Sequence, residues 1–145
     1  MDDIDKTLIR LLQDDATQSY AILGKAVGLS AGAAHERVRK LRERGVIRRT
    51  TIEVDPEAVG LGVVAYVLVD GATWMGGSAD RLAAIAAVEE AHVIAGPASV
   101  LLKLRTATTK DLQDALRRVF EVDGVTSTQS IVVLETFFER PIPIA

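Results

Sequence analysis

The sequence predicts an α+β chain in two parts: a trihelical N-terminal unit and a C-terminal unit of βαββαβ order. Three observations predict it. Apolar residues recur at helical spacing in three short blocks over residues 2–45. A β-branched stretch, Val-Ile-Arg-Arg-Thr-Thr-Ile-Glu-Val, follows at residues 46–54. From Leu61 onward, strand-like runs alternate with helix-like ones.

The first helix spans residues 2–14, with Ile4, Leu8, Leu11 and Leu12 on one face. Asp2, Asp3 and Asp5 suit its start, where carboxylates complement the helix dipole. Residues 13–18 form a polar loop. Ser19 can cap a second helix whose inner face is Ile22, Leu23, Ala26 and Val27 and which ends at Gly28. A tight Gly28-Leu29-Ser30 turn leads into the third helix. Ser30 is its N-cap, Ala34, Val38 and Leu41 form its inner face, and Gly45 stops it, with Arg42 and Arg44 at the negative end of its dipole. Short helix, tight turn and second helix make a helix-turn-helix, winged-helix-like in outline. The division expected is residues 1–48 for this unit, 49–60 for a β linker and 61–145 for the rest.

In the C-terminal part, residues 61–69 are a nearly continuous apolar run and read as a buried strand. Residues 70–77 form a loop carrying Trp74 and Met75. Ser78 caps a helix to about residue 90, with Leu82, Ile85, Ala86 and Glu89 at helical spacing. Residues 92–95 are a short strand, Gly96-Pro97-Ala98-Ser99 a turn, and residues 100–105 a third strand. Thr109 caps a helix with Leu112, Leu116, Val119 and Phe120 inward. Asp123-Gly124 turns the chain into a final strand over residues 126–138. This is the split, ferredoxin-like βαββαβ order. Its helices cover one face of the sheet. The other face, with residues 63–69 and 131–134, needs a cover, and a second copy of the chain is the simplest one.

Composition limits the function classes. Of 145 residues, 48% are hydrophobic and 26% charged, which describes a soluble globular protein with an aliphatic core, since only 4% are aromatic. No apolar run approaches the roughly 18 residues of a membrane span. The opening Met1-Asp2-Asp3-Ile4-Asp5 is not a secretory leader. Without cysteine there is no disulfide, thiolate ligand or cysteine nucleophile, and a cytoplasmic location is expected. His35 and His92 have no further ligand at metal spacing, so no metal and no cofactor is expected.

The net charge is −3, yet its distribution is uneven. Residues 1–50 hold ten Lys/Arg and seven Asp/Glu, whereas residues 51–145 hold seven and thirteen. The basic excess runs from Arg37 to Arg49. The third helix begins with small residues, Ala31, Gly32 and Ala33, and continues with Arg37, Arg39, Lys40 and Arg42. A narrow tip can approach base edges while cations meet phosphates, which is what a helix in the DNA major groove requires. The alternative is a solvated basic face on an ordinary surface helix.

These features together resemble the Lrp/AsnC (feast/famine) family of transcriptional regulators. The resemblance covers essentially the whole chain. It rests on Asp2-Asp3-Ile4-Asp5, Gly28-Leu29-Ser30, Glu36-Arg37-Val38-Arg39-Lys40-Leu41 and Gly45-Val46-Ile47, then on Gly96, Gly124-Val125, Ser127-Thr128 and Ile131-Val132. It implies a regulator that binds double-stranded DNA, dimerises through its C-terminal sheets, builds octamers from dimers in many members, and responds to an amino acid held between C-terminal domains. Carried over, the recognition helix is residues 30–44. Ser30 caps it, Ala31, Gly32, Ala33 and His35 face bases, and Arg37, Arg39, Lys40 and Arg42 contact mainly phosphates. Arg37 has the alternative of being tied to acids within the fold. The effector pocket is implied around Gly96, Pro97, Ala98 and Ser99, facing Thr128 and Ser130. The common family pattern has aspartate at the position of Ser99 and often threonine at that of Ala95; Ser99 can hydrogen-bond but carries no charge. Trp74 and Met75 would close over the pocket or pack in an interface, and His92 beside it reads as partly buried and hydrogen-bonded.

Two other functions compete. Some proteins of this architecture decarboxylate tetrapyrroles, which makes an enzyme the alternative. Against it, the sequence has no paired acids in a cleft and no Ser/His/Asp arrangement, and His92 is the one base near the pocket. The third possibility is a sensing module that has lost DNA binding, against which stands the intact segment of residues 28–47.

Overall fold

Asp2 and Asp5 start the first helix by capping each other. Asp5 N donates to Asp2 Oδ1 at 2.8 Å and Asp2 N to Asp5 Oδ2 at 3.4 Å, a reciprocal capping box. The computed structural model describes residues 1–71 and 77–145. It contains two compact units, Met1–Glu53 with Phe138–Ala145, and Val54–Phe137. Residues 138–145, expected with the second domain, thus group with the first.

The first unit holds α1 (Asp3–Asp14), α2 (Tyr20–Val27) and α3 (Ala31–Glu43). Ser19 caps α2 as the sequence suggests, accepting from Ile22 N at 3.3 Å. Leu8, Leu23, Ala34 and Val38 form its core, with Ile4, Leu11, Leu12, Tyr20, Val27 and Ile47 packed around them. The expected inner face of α2 is corrected: Ile22 and Ala26 are exposed, and Gly24 is buried instead. The cause is backbone packing. A Cβ on Gly24 would lie 2.6 Å from Leu29 O and 2.9 Å from Ser30 O, so the turn sits directly on the helix.

Residues 46–54 form no strand. Val46 N and Ile47 N both donate to Leu41 O, at 2.9 and 3.1 Å, and the residues after them have no ladder partner among the described residues. A β-branched pattern alone does not make a strand; a neighbour must supply the hydrogen bonds.

The second unit holds β1 (Val63–Gly71), α4 (Ser78–Ala83), β2 (Val88–Val93), β3 (Val100–Thr106), α5 (Thr109–Phe120) and β4 (Val125–Val132). The sheet is antiparallel in the order β2-β3-β1-β4. Ala65, Val67 and Val69 of β1 and Val100, Leu102 and Leu104 of β3 pack with Leu82, Ile85, Leu112, Ala115, Val119 and Val122. No helix among the described residues is long and apolar enough to cross a membrane.

Several element bounds differ from expectation. The helix from Ser78 stops at Ala83, because residues 88–93 pair with β3. Glu89, which matched the helical period, is therefore in a strand, and Ala86 is exposed. Ser78 is the first helical residue and buried rather than a cap. Thr108, not Thr109, caps α5 by accepting from Asp111 N at 3.1 Å, and Phe120 is exposed. The last strand ends at Val132 rather than 138: Val133 N bonds Val64 O, and there β1 runs out. The uncovered sheet face is less apolar than expected. Register places Lys103 and Arg105 there beside Val64, Tyr66, Leu68 and Leu101. Glu89 pairs with Arg105 at 2.5 Å and with Lys103 at 3.7 Å.

Gly24→Ala would gain about 1 kcal/mol of helix propensity but force a methyl against immovable backbone, at a cost of about 1–3 kcal/mol or more. A Cβ on Gly32 meets nothing within 4 Å. Urea unfolding should show Gly24→Ala destabilised and Gly32→Ala unchanged or stabilised by up to about 1 kcal/mol. Equal effects at the two sites would contradict this packing.

Candidate nucleic-acid interface and effector site

Ser30 sets the direction of α3. Its backbone is extended (φ −66°, ψ 159°) and its hydroxyl accepts from Ala33 N at 3.1 Å. Ala34, Val38 and Leu41 are buried, whereas Ala31, Gly32, His35, Arg39 and Arg42 are exposed. Ala31 and Gly32 are exposed and Ala33 is half-buried. Since nothing in the fold occupies the space beside Gly32, the smallness of the tip is not demanded by packing within this chain. The helix ends in a Schellman motif. Gly45 has φ +71°, Gly45 N donates to Arg42 O at 3.0 Å, and Val46 N to Leu41 O at 2.9 Å.

His35 is exposed, and the Tyr20 ring at the start of α2 meets it edge-on with centroids 4.6 Å apart. The Tyr20 hydroxyl lies 3.4 Å from Arg42 Nη1, and Arg42 Nη2 is 3.5 Å from Thr50 Oγ1. Both are long for hydrogen bonds and hold Arg42 loosely. Nothing in the sequence pattern marked Tyr20 as a neighbour of the outer face.

The central cations of α3 are paired. Arg37 Nη1 donates to Asp2 Oδ2 at 2.7 Å and to Asp5 Oδ1 at 2.9 Å, the fold-tied alternative for this residue. The Asp5 amide, and then the Arg37 guanidinium, hold the Asp2 carboxyl below its ordinary 3.8. Arg39 grips Glu36 with two bonds, 2.6 and 2.8 Å, and reaches Glu43 as well. These contacts hold the Glu36 carboxyl down at about 2 and raise the Arg39 guanidinium. Lys40 Nζ is 3.7 Å from Glu36 Oε1. The Glu36 and Glu43 pairs with Arg39 are at i,i+3 and i,i+4 spacing, so this neutralisation was open to sequence reading.

The residues implied for an effector pocket lie on either side of β1. Ser99 N donates to Val69 O at 3.1 Å, and Ile94 N to Ser99 O at 3.0 Å, which closes the 94–99 turn. Ser99 Oγ lies 2.9 Å from Gly71 O and 3.2 Å from Asp70 Oδ1, while Gly71 N donates to Asp70 Oδ1 at 2.9 Å. Asp70, exposed at the strand end, therefore brings a carboxylate to the serine, a contact across 29 residues that no local pattern signals. Gly96 and Pro97 are exposed and Ala98 half-buried. Thr128 and Ser130 stand opposite Val69 and Val67, hence on the helix-covered side. Ser127 and Gln129, opposite Asp70 and Leu68, share the uncovered side. His92 is exposed rather than partly buried, with Nε2 3.1 Å from Glu90 Oε2. Trp74 and Met75 lie outside the described residues. The groove of about 740 Å³ in the N-terminal unit includes none of these residues.

Comparison with known proteins agrees with both halves. Residues 1–42 match the AsnC-type helix-turn-helix domain and residues 64–143 the Lrp/AsnC ligand binding domain. The HTH-type transcriptional regulator FL11 of Pyrococcus horikoshii is 35% identical over 96% of this chain and 93% of its own. The regulator LrpA of Mycobacterium tuberculosis is 34% identical over 95% and 93%. Among solved structures, Escherichia coli AsnC superposes with a TM-score of 0.91 at 26% identity, covering 98% of this chain and 97% of its own. The feast or famine regulatory protein of M. tuberculosis, solved in complex with L-methionine, superposes at 0.92 with 34% identity, covering 99% of each chain. These are matches to transcriptional regulators, not to enzymes, and nothing among them points to tetrapyrrole chemistry. The chain belongs to the Lrp/AsnC family of transcriptional regulators.

Proposed function

We propose that the protein binds double-stranded DNA through α3 as a homodimer and responds to a small molecule, an amino acid or a relative of one, held by the C-terminal unit. One observation carries the DNA reading: Ser30 caps a helix whose exposed tip is small and whose outer face carries His35 and Arg42. Ala31, Gly32, Ala33 and His35 face base edges. Lys40 and Arg42 meet phosphates, and Arg37 and Arg39 meet them only secondarily, because each already serves carboxylates. Functionally, residues 1–48 are the DNA-binding domain, 49–60 the linker, and 61–145 the effector and assembly domain. The protein acts where the DNA is, in the cytoplasm.

The effector reading is supported by a relative of 34% identity solved with L-methionine. In this chain, Gly96, Pro97, Ala98 and Ser99 form one half of the site and Thr128 and Ser130 the other. Strand β1 lies between these halves, and the site draws on a second chain as well. Asp70 beside Ser99 provides the negative charge that Ser99 lacks and that a ligand ammonium group needs. Half-buried Val64, Tyr66, Leu68 and Leu101 on the uncovered sheet face favour a second copy as cover, and dimers of this kind can stack into octamers.

Mobility shifts on the protein's own upstream DNA, with calorimetry against each of the twenty amino acids, test both parts. The expected result is retarded DNA, a pseudo-palindromic site with half-sites spaced by whole helical turns, and at least one amino acid that changes the retardation. Absence of any shift would remove the DNA reading. Blank calorimetry would remove the amino-acid reading.

Arg37→Ala should lower the urea midpoint at pH 7. Asp2 binds its proton more weakly folded than unfolded, so its contribution is present above pH 3.8 and lost as pH falls through the depressed folded value. The gap between wild type and variant should therefore close in acid. A gap that is constant down to complete protonation would show that Arg37 acts through packing alone.

A further inference from the structure

Resting on the DNA-binding reading, we infer that Arg44, Arg48 and Arg49 form a basic arm after α3 that supplies the sequence-independent phosphate contacts. The cations of this stretch differ in whether a carboxylate already holds them. Arg37 and Arg39 are engaged by Asp2, Asp5, Glu36 and Glu43, and Lys40 shares Glu36. Arg44, Arg48 and Arg49 are exposed and have no carboxylate partner among the described residues. An arginine already paired must give up its carboxylate before it neutralises a phosphate, whereas an unpaired one simply displaces condensed counterions.

Placement supports this. The arm starts at the C-terminal end of α3, the end that contacts the backbone when the N-terminal end of a reading helix faces the bases. It is anchored at its root. Ile47 packs against the helical core, and its amide donates to Leu41 O at 3.1 Å. Arg48 and Arg49 also line the groove of about 740 Å³ beside Ile9, Leu12, Ile142 and Ile144. A long aliphatic stem can rest on such a surface while its guanidinium stays in water. Root and stems are thus held and the charged ends are available.

Fluorescence anisotropy with a labelled duplex of mixed sequence, titrated with salt, reads the number of phosphates neutralised. Arg48→Ala/Arg49→Ala should lower the slope of log K against log salt by about 2 per protomer, at about 0.9 per lost contact. Arg48→Lys/Arg49→Lys should restore most of it. The charge-neutral Asp114→Asn/Arg117→Gln variant, at an exposed pair on α5, should leave the slope unchanged. Thermal melts should fall only slightly in the alanine variant, since stem packing is lost but no ion pair is broken. An unchanged slope in that variant with DNA binding intact overturns the arm while the DNA reading stands. A slope that falls equally in Asp114→Asn/Arg117→Gln also overturns it. Failure of the wild type to bind any duplex overturns the DNA reading and the arm together.

Discussion

The tie between Arg37 and the two aspartates at the start of α1 is the contact on which the presentation of α3 depends. The trihelical unit is small, and its fully buried side chains are few: Leu8, Leu23, Ala34, Val38 and Leu41. A core of that size fixes helix angles weakly. Arg37 adds a directional constraint, because its guanidinium must meet Asp2 and Asp5 at once. Asp5 is only 9% exposed, so the tie also satisfies a carboxylate that would otherwise be stranded away from water. Gly24 completes the arrangement from the other side, letting the Leu29–Ser30 backbone lie on α2 and so fixing where Ser30 begins α3.

The same accounting of pairs changes what the basic stretch means. Seven cations between residues 37 and 49 suggest a uniform polyanion-binding face. The structure divides them: the middle of α3 is internally neutralised, and free charge is displaced to its C-terminal end and beyond. In the proposed DNA complex, this arrangement leaves the outer face of the helix for specific contacts and the flank for affinity. A corresponding device occurs in the sheet. Lys103 and Arg105 lie on the uncovered face among apolar residues, matched by Glu89 and Glu90 from β2. Charges matched in pairs on a half-apolar face suit a surface that must be both dry and specific in its partner.

How much of this was legible in the sequence followed the range of the interactions. Caps and stops are local, so Ser19, Ser30 and Gly45 and the three N-terminal helices could be read directly. The βαββαβ order could too, because each element carries its own period. What failed depended on distant partners. Glu89 fits a helix by spacing, yet β3 claims it for a strand. Residues 46–54 look like a strand and find no ladder. Residues 133–138 continue a strand-like pattern past the point where β1 ends. At the site, the outward position of Gly32 and His35 followed from helical period, whereas Ala31 shares the period of Ala34 and Val38 and is exposed at the helix start. The engagement of Arg37 by residues 32 and 35 positions earlier in the chain did not. Ser99 beside Asp70 is the same kind of case, since 29 residues separate them.

The central claim is that α3 enters the major groove tip first. Dimethyl sulfate probing of the protein on its own upstream DNA tests it most directly, because guanine N7 lies in the major groove and adenine N3 in the minor. The account predicts protection of guanine N7 in two clusters spaced by whole helical turns, with adenine N3 between them still reactive, and loss of those clusters when Gly32 is replaced by a bulky residue. Protection confined to adenine N3, or guanine protection untouched by Gly32→Trp, would contradict it.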